Sequence, residues 1–213
     1  TVGLGGNFSM VSRESMLLVN NVLLVVAMSA VLLGTLYPLF LDALGAGKIS
    51  VGPPYFDSVF GPLMFPMLFL LGVAPFARWK EADTLELAKK LGWVFALSLA
   101  AGAVISFLMG RWSHWVFIGC TLAVWVAATA VYNIIDRGRN MKGGFFAKLA
   151  QHPRAFWGMQ LAHIGVAVFV IGVALVKGYP AERNVRMYVG EQVTVAEYTF
   201  VFNGTKETRG ANY

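Results

Sequence analysis

The sequence predicts an α-helical polytopic membrane protein, with five transmembrane helices followed by a small, incomplete β-domain. Of the 213 residues, 57% are hydrophobic and only 13% are charged, whereas soluble proteins carry roughly 25% charged residues. Five long stretches lack Asp, Glu, Lys and Arg, and the last part of the chain alternates apolar with polar residues. This composition disfavours an ordinary cytosolic domain and excludes a disordered tail and a collagen-like repeat.

Each uncharged stretch has about the 20 residues that a helix needs to cross a bilayer. Ser12 is expected to cap the first helix, with Glu14 at the positive end of its dipole. Four prolines in the first two spans predict kinks or broken turns there. Together the spans define a transmembrane domain over residues 1–176. The predicted spans are 15–41, 58–77, 91–110, 112–135 and 155–176.

Basic residues in the short loops predict the orientation of the chain. One side of the predicted membrane carries ten of them and the other side carries two, Lys48 and Arg111. By the positive-inside rule, the N-terminus and the loops after the second and fourth spans face the cytoplasm. The net charge of +6 therefore indicates membrane orientation rather than nucleic acid binding. The ten are Arg13, Arg78, Lys80, Lys89, Lys90, Arg137, Arg139, Lys142, Lys148 and Arg154.

Residues 177–213 are predicted to form a β-domain outside the membrane. Apolar residues alternate with polar ones from Val185 to Phe202, and Asn203-Gly204 predicts a hairpin turn. About three strands are expected, which is too few to close a stable sheet, so the domain is predicted to be incomplete. A second extramembrane feature, residues 52–56, is expected to be a stiff loop with two aromatic tips. That loop could dock a partner or simply connect two spans.

His163, inside the fifth predicted span, is the main candidate for a functional residue. It lies about 12 Å from the cytoplasmic end of the span at 1.5 Å per residue, and a neutral imidazole at that depth needs a partner. Haem iron bound through Nε2 is one partner, and a hydrogen bond across a helix interface is the other. Spacing alone leaves both open. Gly158 and Gly165 flank the histidine and would let a flat macrocycle or a helix approach.

The remaining polar candidates have weaker signals. His114, between two tryptophans, is expected to be an interfacial anchor or, less favoured, a ligand, and His152 a solvated residue or a helix cap. Asn20 and Asn21 would bond across helices or contact a quinone or a porphyrin carboxylate. Cys120, the single cysteine, excludes dithiol chemistry and is expected to be buried. The spans contain no carboxylate pair and no Ser/His/Asp set, which excludes hydrolysis and disfavours an ion-coupled carrier.

Several motifs, in order along almost the whole chain, resemble the CcmF family, the haem lyase subunits of cytochrome c maturation. The first are FSMVSRES at 8–15 and Asn20-Asn21. LGTLYP at 33–38 and KISVGPPYF at 48–56 follow. MQLAHIG at 159–165 and ERNVRM at 182–187 complete the set. The resemblance fits a fragment from the C-terminal half of the family.

The resemblance implies a multi-pass protein of the bacterial inner membrane. The family attaches haem covalently to apocytochrome c in the periplasm and carries a b-type haem within the membrane. Two transmembrane histidines hold that haem, and His163 matches the ligand of the second half. The partner histidine falls outside this sequence, so the fragment alone is expected to be inactive. The b haem would reduce the incoming haem, with quinol as a candidate electron source.

The family further implies haem, apocytochrome c, the haem chaperone CcmE and CcmH-type subunits as partners. The β-domain would then lie in the periplasm. Two alternatives remain. One is a non-catalytic membrane scaffold of the maturation complex, docked through residues 52–56 and the hairpin. The other is a quinone-linked cytochrome b-type subunit, which would need histidine pairs on facing helices.

Overall fold

The computed structural model describes residues 10–139, 141–180 and 182–207. Residues 8–9 of the first motif and the end of the predicted β-domain, 208–213, lie outside the described residues. A short 3-10 turn, Ala74–Phe76, follows the second helix. The elements are α1 Arg13–Ala43, α2 Pro53–Val73, α3 Thr84–Leu108, α4 His114–Gly138, α5 Phe145–Ala150, α6 Arg154–Gly178, β1 Gln192–Val195 and β2 Tyr198–Val201.

Five helices, α1, α2, α3, α4 and α6, are long and apolar enough to cross a membrane. This confirms the five predicted spans, although several helices start earlier or end later than predicted. The largest difference is at α3, which begins at Thr84 because the Asp83 carboxylate caps it. Oδ1 of Asp83 accepts hydrogen bonds from the backbone N–H of Leu85 at 2.8 Å and of Glu86 at 3.4 Å. The short helix α5 was not predicted.

The start of α1 is held as the sequence predicts. Ser12 is the N-cap, and its Oγ accepts a hydrogen bond from the backbone N–H of Ser15 at 3.1 Å. Glu14 lies in the first turn, where the positive end of the helix dipole stabilises a carboxylate. The backbone N–H of Arg13 also donates to the carbonyl of Arg78 at 2.9 Å. This bond ties the beginning of α1 to the segment that follows α2.

The predicted loop 52–56 is instead the beginning of α2. The helix starts at Pro53, and proline is favoured in a first helical turn because its missing N–H has no helical partner there. Tyr55 is therefore half-buried on α1, where its hydroxyl donates to the carbonyl of Ala30 at 3.0 Å. A Cβ atom at Gly34 would lie only 2.6 Å from the Tyr55 ring. The prediction of two exposed aromatic tips was wrong.

Helix α4 is the centre of the bundle and packs against α2, α3 and α6. Trp125 is 1% exposed, and its indole Nε1 donates to the carbonyl of Phe69 on α2 at 3.0 Å. Cys120 is fully buried in the same helix, as predicted. The buried residues of α4 are Val116, Gly119, Cys120, Thr121, Leu122, Ala123, Trp125, Val126, Thr129, Ala130 and Asn133.

Glycines allow α4 and α6 to approach closely. A Cβ atom at Gly119 would lie 2.5 Å from the Cβ of Ala174, and one at Gly178 would overlap Val116. Because an early residue of α4 meets a late residue of α6, the two helices run antiparallel. Small residues at the crossing allow close van der Waals packing between the backbones. Such packing stabilises helix pairs in lipid, where the hydrophobic driving force between helices is weak.

The β-hairpin differs from the prediction in its turn. Strands β1 and β2 pair antiparallel with Gln192 opposite Val201, and the turn between them is Ala196-Glu197. The predicted turn Asn203-Gly204 follows β2 and joins no two strands in the described residues. Gly204 does have a positive φ of 100°, so its flexibility is used for a bend instead. Two strands, rather than three, are formed within 182–207.

Candidate functional site

His163 is half-buried on α6, nine residues after Arg154 or about 14 Å along the helix. Its Nδ1 lies 2.7 Å from the carbonyl oxygen of Met159, one turn earlier. Because a carbonyl oxygen only accepts, the geometry assigns the proton to Nδ1, which donates it. Nε2 then carries the lone pair, and this nitrogen makes no hydrogen bond to any described residue.

This arrangement is the one that metal-binding histidines commonly use. A hydrogen bond from the first ring nitrogen to a backbone carbonyl fixes the tautomer and the ring orientation, and the second nitrogen binds the metal. The predicted alternative, a hydrogen bond from His163 across a helix interface, is not formed by the described residues. The ring is held by its own helix instead.

Gly158 and Gly165 do not shape the space beside the His163 ring. At 3.6 residues per turn, both lie on the opposite side of α6 from the histidine. A Cβ atom at either glycine would meet no described atom within 4 Å. The expectation that they admit a macrocycle or a helix next to His163 is therefore not supported. The neighbours one turn away on the histidine's own face are Met159, Gln160, Val166 and Ala167.

An apolar groove begins one helical turn beyond His163. It has a volume of about 580 Å³, and Val166 and Val170 of α6 form part of its wall together with residues of α2 and α4. At its far end, Nζ of Lys177 contacts both carboxylate oxygens of Asp57, at 2.5 and 2.6 Å. The volume falls within the roughly 300–1,000 Å³ typical of small-molecule sites. His163 itself does not line the groove, and the wall residue of α6 nearest to it in the chain is Val166.

A buried polar contact that sequence reasoning missed lies one turn from His163. Nε2 of Gln160 on α6 is 3.4 Å from Oδ1 of Asn133 on α4, and the two residues are 2% and 3% exposed. Both lie within predicted spans, so their polarity was a visible signal. The pair fixes the register of α4 against α6 at the level of the histidine.

His114 lies at one end of the bundle, whereas His163 lies near the middle of α6. His114 begins α4 and is exposed, with its ring edge-on to Trp112 at 6.2 Å between centroids. The packing of Gly178 against Val116 places the beginning of α4 beside the end of α6. The structure therefore does not bring these two histidines together.

The other polar candidates also differ from expectation. His152 is only 7% exposed and stacks on Phe156 at 4.4 Å between ring centroids, so it is neither solvated nor a cap. Pro153 is the N-cap of α6 instead. A flat imidazole packs well against an aromatic ring, which the loop sequence did not reveal. Oδ1 of Asn20 is buried without a hydrogen-bond partner among the described residues, and Asn21 is exposed.

Within the described residues, no three His, Cys, Asp or Glu side chains gather closely enough to hold a metal ion. An imidazole whose Nε2 carries the lone pair is of the kind that serves as an axial ligand of haem iron.

Comparison with known proteins finds relatives that are named as cytochrome c-type biogenesis proteins. No protein-family model matches it. CcmF of Pseudomonas fluorescens is 42% identical over 206 residues, which cover 97% of this chain and 31% of the relative. CcmF of Escherichia coli K12 is 38% identical, with 97% and 31% covered. CycK of Rhizobium meliloti is 38% identical, with 98% and 31% covered. The chain spans about a third of the length of these relatives.

A solved structure described as the cytochrome c heme lyase CcmF is also similar. Its TM-score is 0.61 at 29% identity, and the match covers 80% of this chain and 26% of that chain. Sequence and structure therefore agree, and the resemblance stated from the motifs is confirmed.

Proposed function

Since this chain is a segment like the C-terminal part of CcmF and CycK, we propose that it forms part of a cytochrome c haem lyase. The complete protein would attach haem covalently to apocytochrome c. The chain spans about a third of the length of these relatives. Five helices able to span a membrane support an integral membrane location, and the bacterial relatives support the inner membrane.

In this proposal His163 is one axial ligand of a membrane-embedded b-type haem, and the second axial histidine lies outside the sequence. The observation that carries it is the Nδ1–Met159 hydrogen bond, which leaves the Nε2 lone pair for iron. The apolar groove that begins at Val166 supplies walls that exclude water. When bound, the haem supplies one-electron redox chemistry to reduce the incoming haem, and quinol is the proposed electron source.

The orientation and the domain division follow from the loop charges. We propose that the N-terminus of the chain and the loop between α4 and α6 face the cytoplasm, because basic residues concentrate there. Residues 177–213, including the hairpin, would then form a β-domain in the periplasm. That compartment would place the domain near apocytochrome c, and near CcmE and CcmH-type subunits as proposed partners.

The test is to replace His163→Ala in the full-length protein and record its reduced absorption spectrum. We expect the b-type α band to be lost while the protein still elutes as a folded species in detergent. His114→Ala is the matched control. It should keep the band, because His114 lies at the beginning of α4, away from His163. His163→Gly with added imidazole should restore it. An undiminished band in His163→Ala would refute the ligand role.

A non-catalytic scaffold is a second candidate, and one observation still favours it. Tyr198 and Phe200 on β2 are 73% and 56% exposed, and such an apolar strand could dock another protein. The packed start of α2 no longer supports docking through residues 52–56. Deleting residues 182–207 from the full-length protein should abolish partner co-purification but spare the haem spectrum if the hairpin only docks.

A further inference from the structure

A separate cavity lies at the end of the bundle where α4 ends and α6 begins. It has a volume of about 210 Å³ and is enclosed by the last turn of α4, by α5 and by His152. Its walls are mainly apolar and include Ile135 and Leu149. Two cationic side chains, Arg139 and Lys148, complete the lining. The cavity thus combines a hydrocarbon-like wall with positive charge.

These two cations have no acidic partner among the described residues. Lys148 is half-buried, and neither side chain takes part in an ion pair in the described ranges. The nearest acidic residue in the chain before them, Asp136, is already bonded by Nζ of Lys90 at 2.7 Å. From 137 to 181 the sequence contains no Asp or Glu. A half-buried ammonium without a counter-ion attracts an anion from outside the chain.

The position of the cavity indicates where that anion comes from. Because α4 ends at Gly138 and α6 begins at Arg154, the cavity lies at the level where these spans leave the hydrocarbon. Phe145 and Phe146 on α5 are 69% and 83% exposed, as expected for apolar side chains of a short helix that lies at a membrane surface. Given the membrane location proposed above, on which this step rests, the headgroups of one leaflet would surround the cavity.

We propose that this cavity binds an anionic glycerophospholipid, with its phosphate between Arg139 and Lys148. The glycerol and the first methylene groups lie along Ile135 and Leu149. This apolar contact favours a lipid over free inorganic phosphate, which has nothing to place against such a wall. A zwitterionic lipid is disfavoured because its own ammonium neutralises the phosphate.

Binding can be measured on the full-length protein in detergent by native mass spectrometry. Phosphatidylglycerol and phosphatidylcholine with the same acyl chains are titrated separately. The variant R139Q/K148Q removes the two cavity charges, and the control K142Q/R154Q removes two charges of the same segment that do not line the cavity. We expect phosphatidylglycerol to bind about fivefold more weakly for each cavity charge that is removed. The control variant should bind it about as tightly as the unmodified protein does.

Three results would overturn the proposal. Equal weakening in both double variants would mean that diffuse charge attracts the lipid. Equal binding of phosphatidylcholine would exclude selection for an anion. Displacement of phosphatidylglycerol by inorganic phosphate at similar concentration would identify a free-phosphate site instead. If the double variant fails to elute as a folded species, K148Q alone is measured, with an expected weakening of about fivefold against K142Q.

Discussion

Replacing Gly72→Ala should destabilise the bundle by forcing α2 away from α4. An added methyl group would lie 2.8 Å from Cε2 and 2.9 Å from Cδ1 of the Trp125 indole, and it would overlap Nε1. Carbon atoms in contact normally keep 3.5–4.0 Å. Trp125 is 1% exposed and surrounded on all sides, so its ring has no free space into which it can retreat.

Three contributions set the size of the effect. Overpacking of a well-packed core costs about 1–3 kcal/mol. Displacing the indole breaks the hydrogen bond from Nε1 to the carbonyl of Phe69, and an unpaired buried N–H costs about 1–3 kcal/mol. Alanine is favoured over glycine within a helix by about 1 kcal/mol, which opposes the other two. The first two contributions less the third give a fall in the free energy of unfolding of about 1–5 kcal/mol.

Unfolding in mixed micelles, followed by circular dichroism as the denaturing detergent increases, measures this change. Gly172→Ala on α6 is the matched control, because a Cβ atom there meets no described atom within 4 Å. It should leave stability unchanged or slightly raised. In a Trp125→Phe background, which lacks Nε1, Gly72→Ala should cost less. If Gly72→Ala unfolds like the unmodified chain, the close packing of α2 on this indole is refuted.

Two further predictions concern the contact between α4 and α6, and the same unfolding assay checks them. Gly119→Ala should lower the free energy of unfolding by about 1–3 kcal/mol, since its Cβ would lie 2.5 Å from the Cβ of Ala174. Adding Ala174→Gly removes that atom and should restore most of the lost stability. If stability is not restored, the strain does not arise at this contact. Gln160→Leu should cost about 1–3 kcal/mol because the Asn133 amide is left buried without its partner. Combining it with Asn133→Leu should cost less than the sum of the two single changes, and strict additivity would contradict the contact.

The five spans could be predicted because burying a charge in lipid is costly, so each span is visible as a long stretch without charged residues. Their ends could not be predicted as well. The start of α3 at Thr84 depends on the Asp83 cap, and charged residues such as Lys89 sit in helical turns where water still reaches them. The length of an uncharged run reflects the thickness of the hydrocarbon layer, whereas the helix itself can continue beyond that layer.

Local turn signals failed where packing outweighed them. Gly52 and the prolines after it are typical of a loop, but the Tyr55 hydroxyl finds the Ala30 carbonyl on α1, and this contact favours a helix start. Asn203-Gly204 is a strong turn sequence, yet the strand register is set by pairs such as Thr194 opposite Thr199, whose hydroxyls lie 3.1 Å apart. Pairing between strands is not visible in a dipeptide.

His163 could be selected from the sequence because a lone intramembrane histidine is rare and costly. Binding through Nε2 was expected from the sequence, and the hydrogen bond from Nδ1 to the Met159 carbonyl agrees with that tautomer. The Gln160–Asn133 contact, by contrast, was missed. Each residue alone is an ordinary polar residue in a span, and only the antiparallel packing of α4 and α6 brings them together.

The central position of α4 reverses the usual relation between apolarity and burial. Among the five spanning helices, α4 has the lowest mean hydropathy and the largest buried share, whereas α1 has the highest hydropathy and the smallest buried share. The most apolar helix is thus the least buried, and the interior accepts hydroxyl and amide groups such as Thr129 and Asn133. Polar substitutions should accordingly be poorly tolerated on α1. On α4 they should be tolerated wherever a neighbouring helix offers a hydrogen bond.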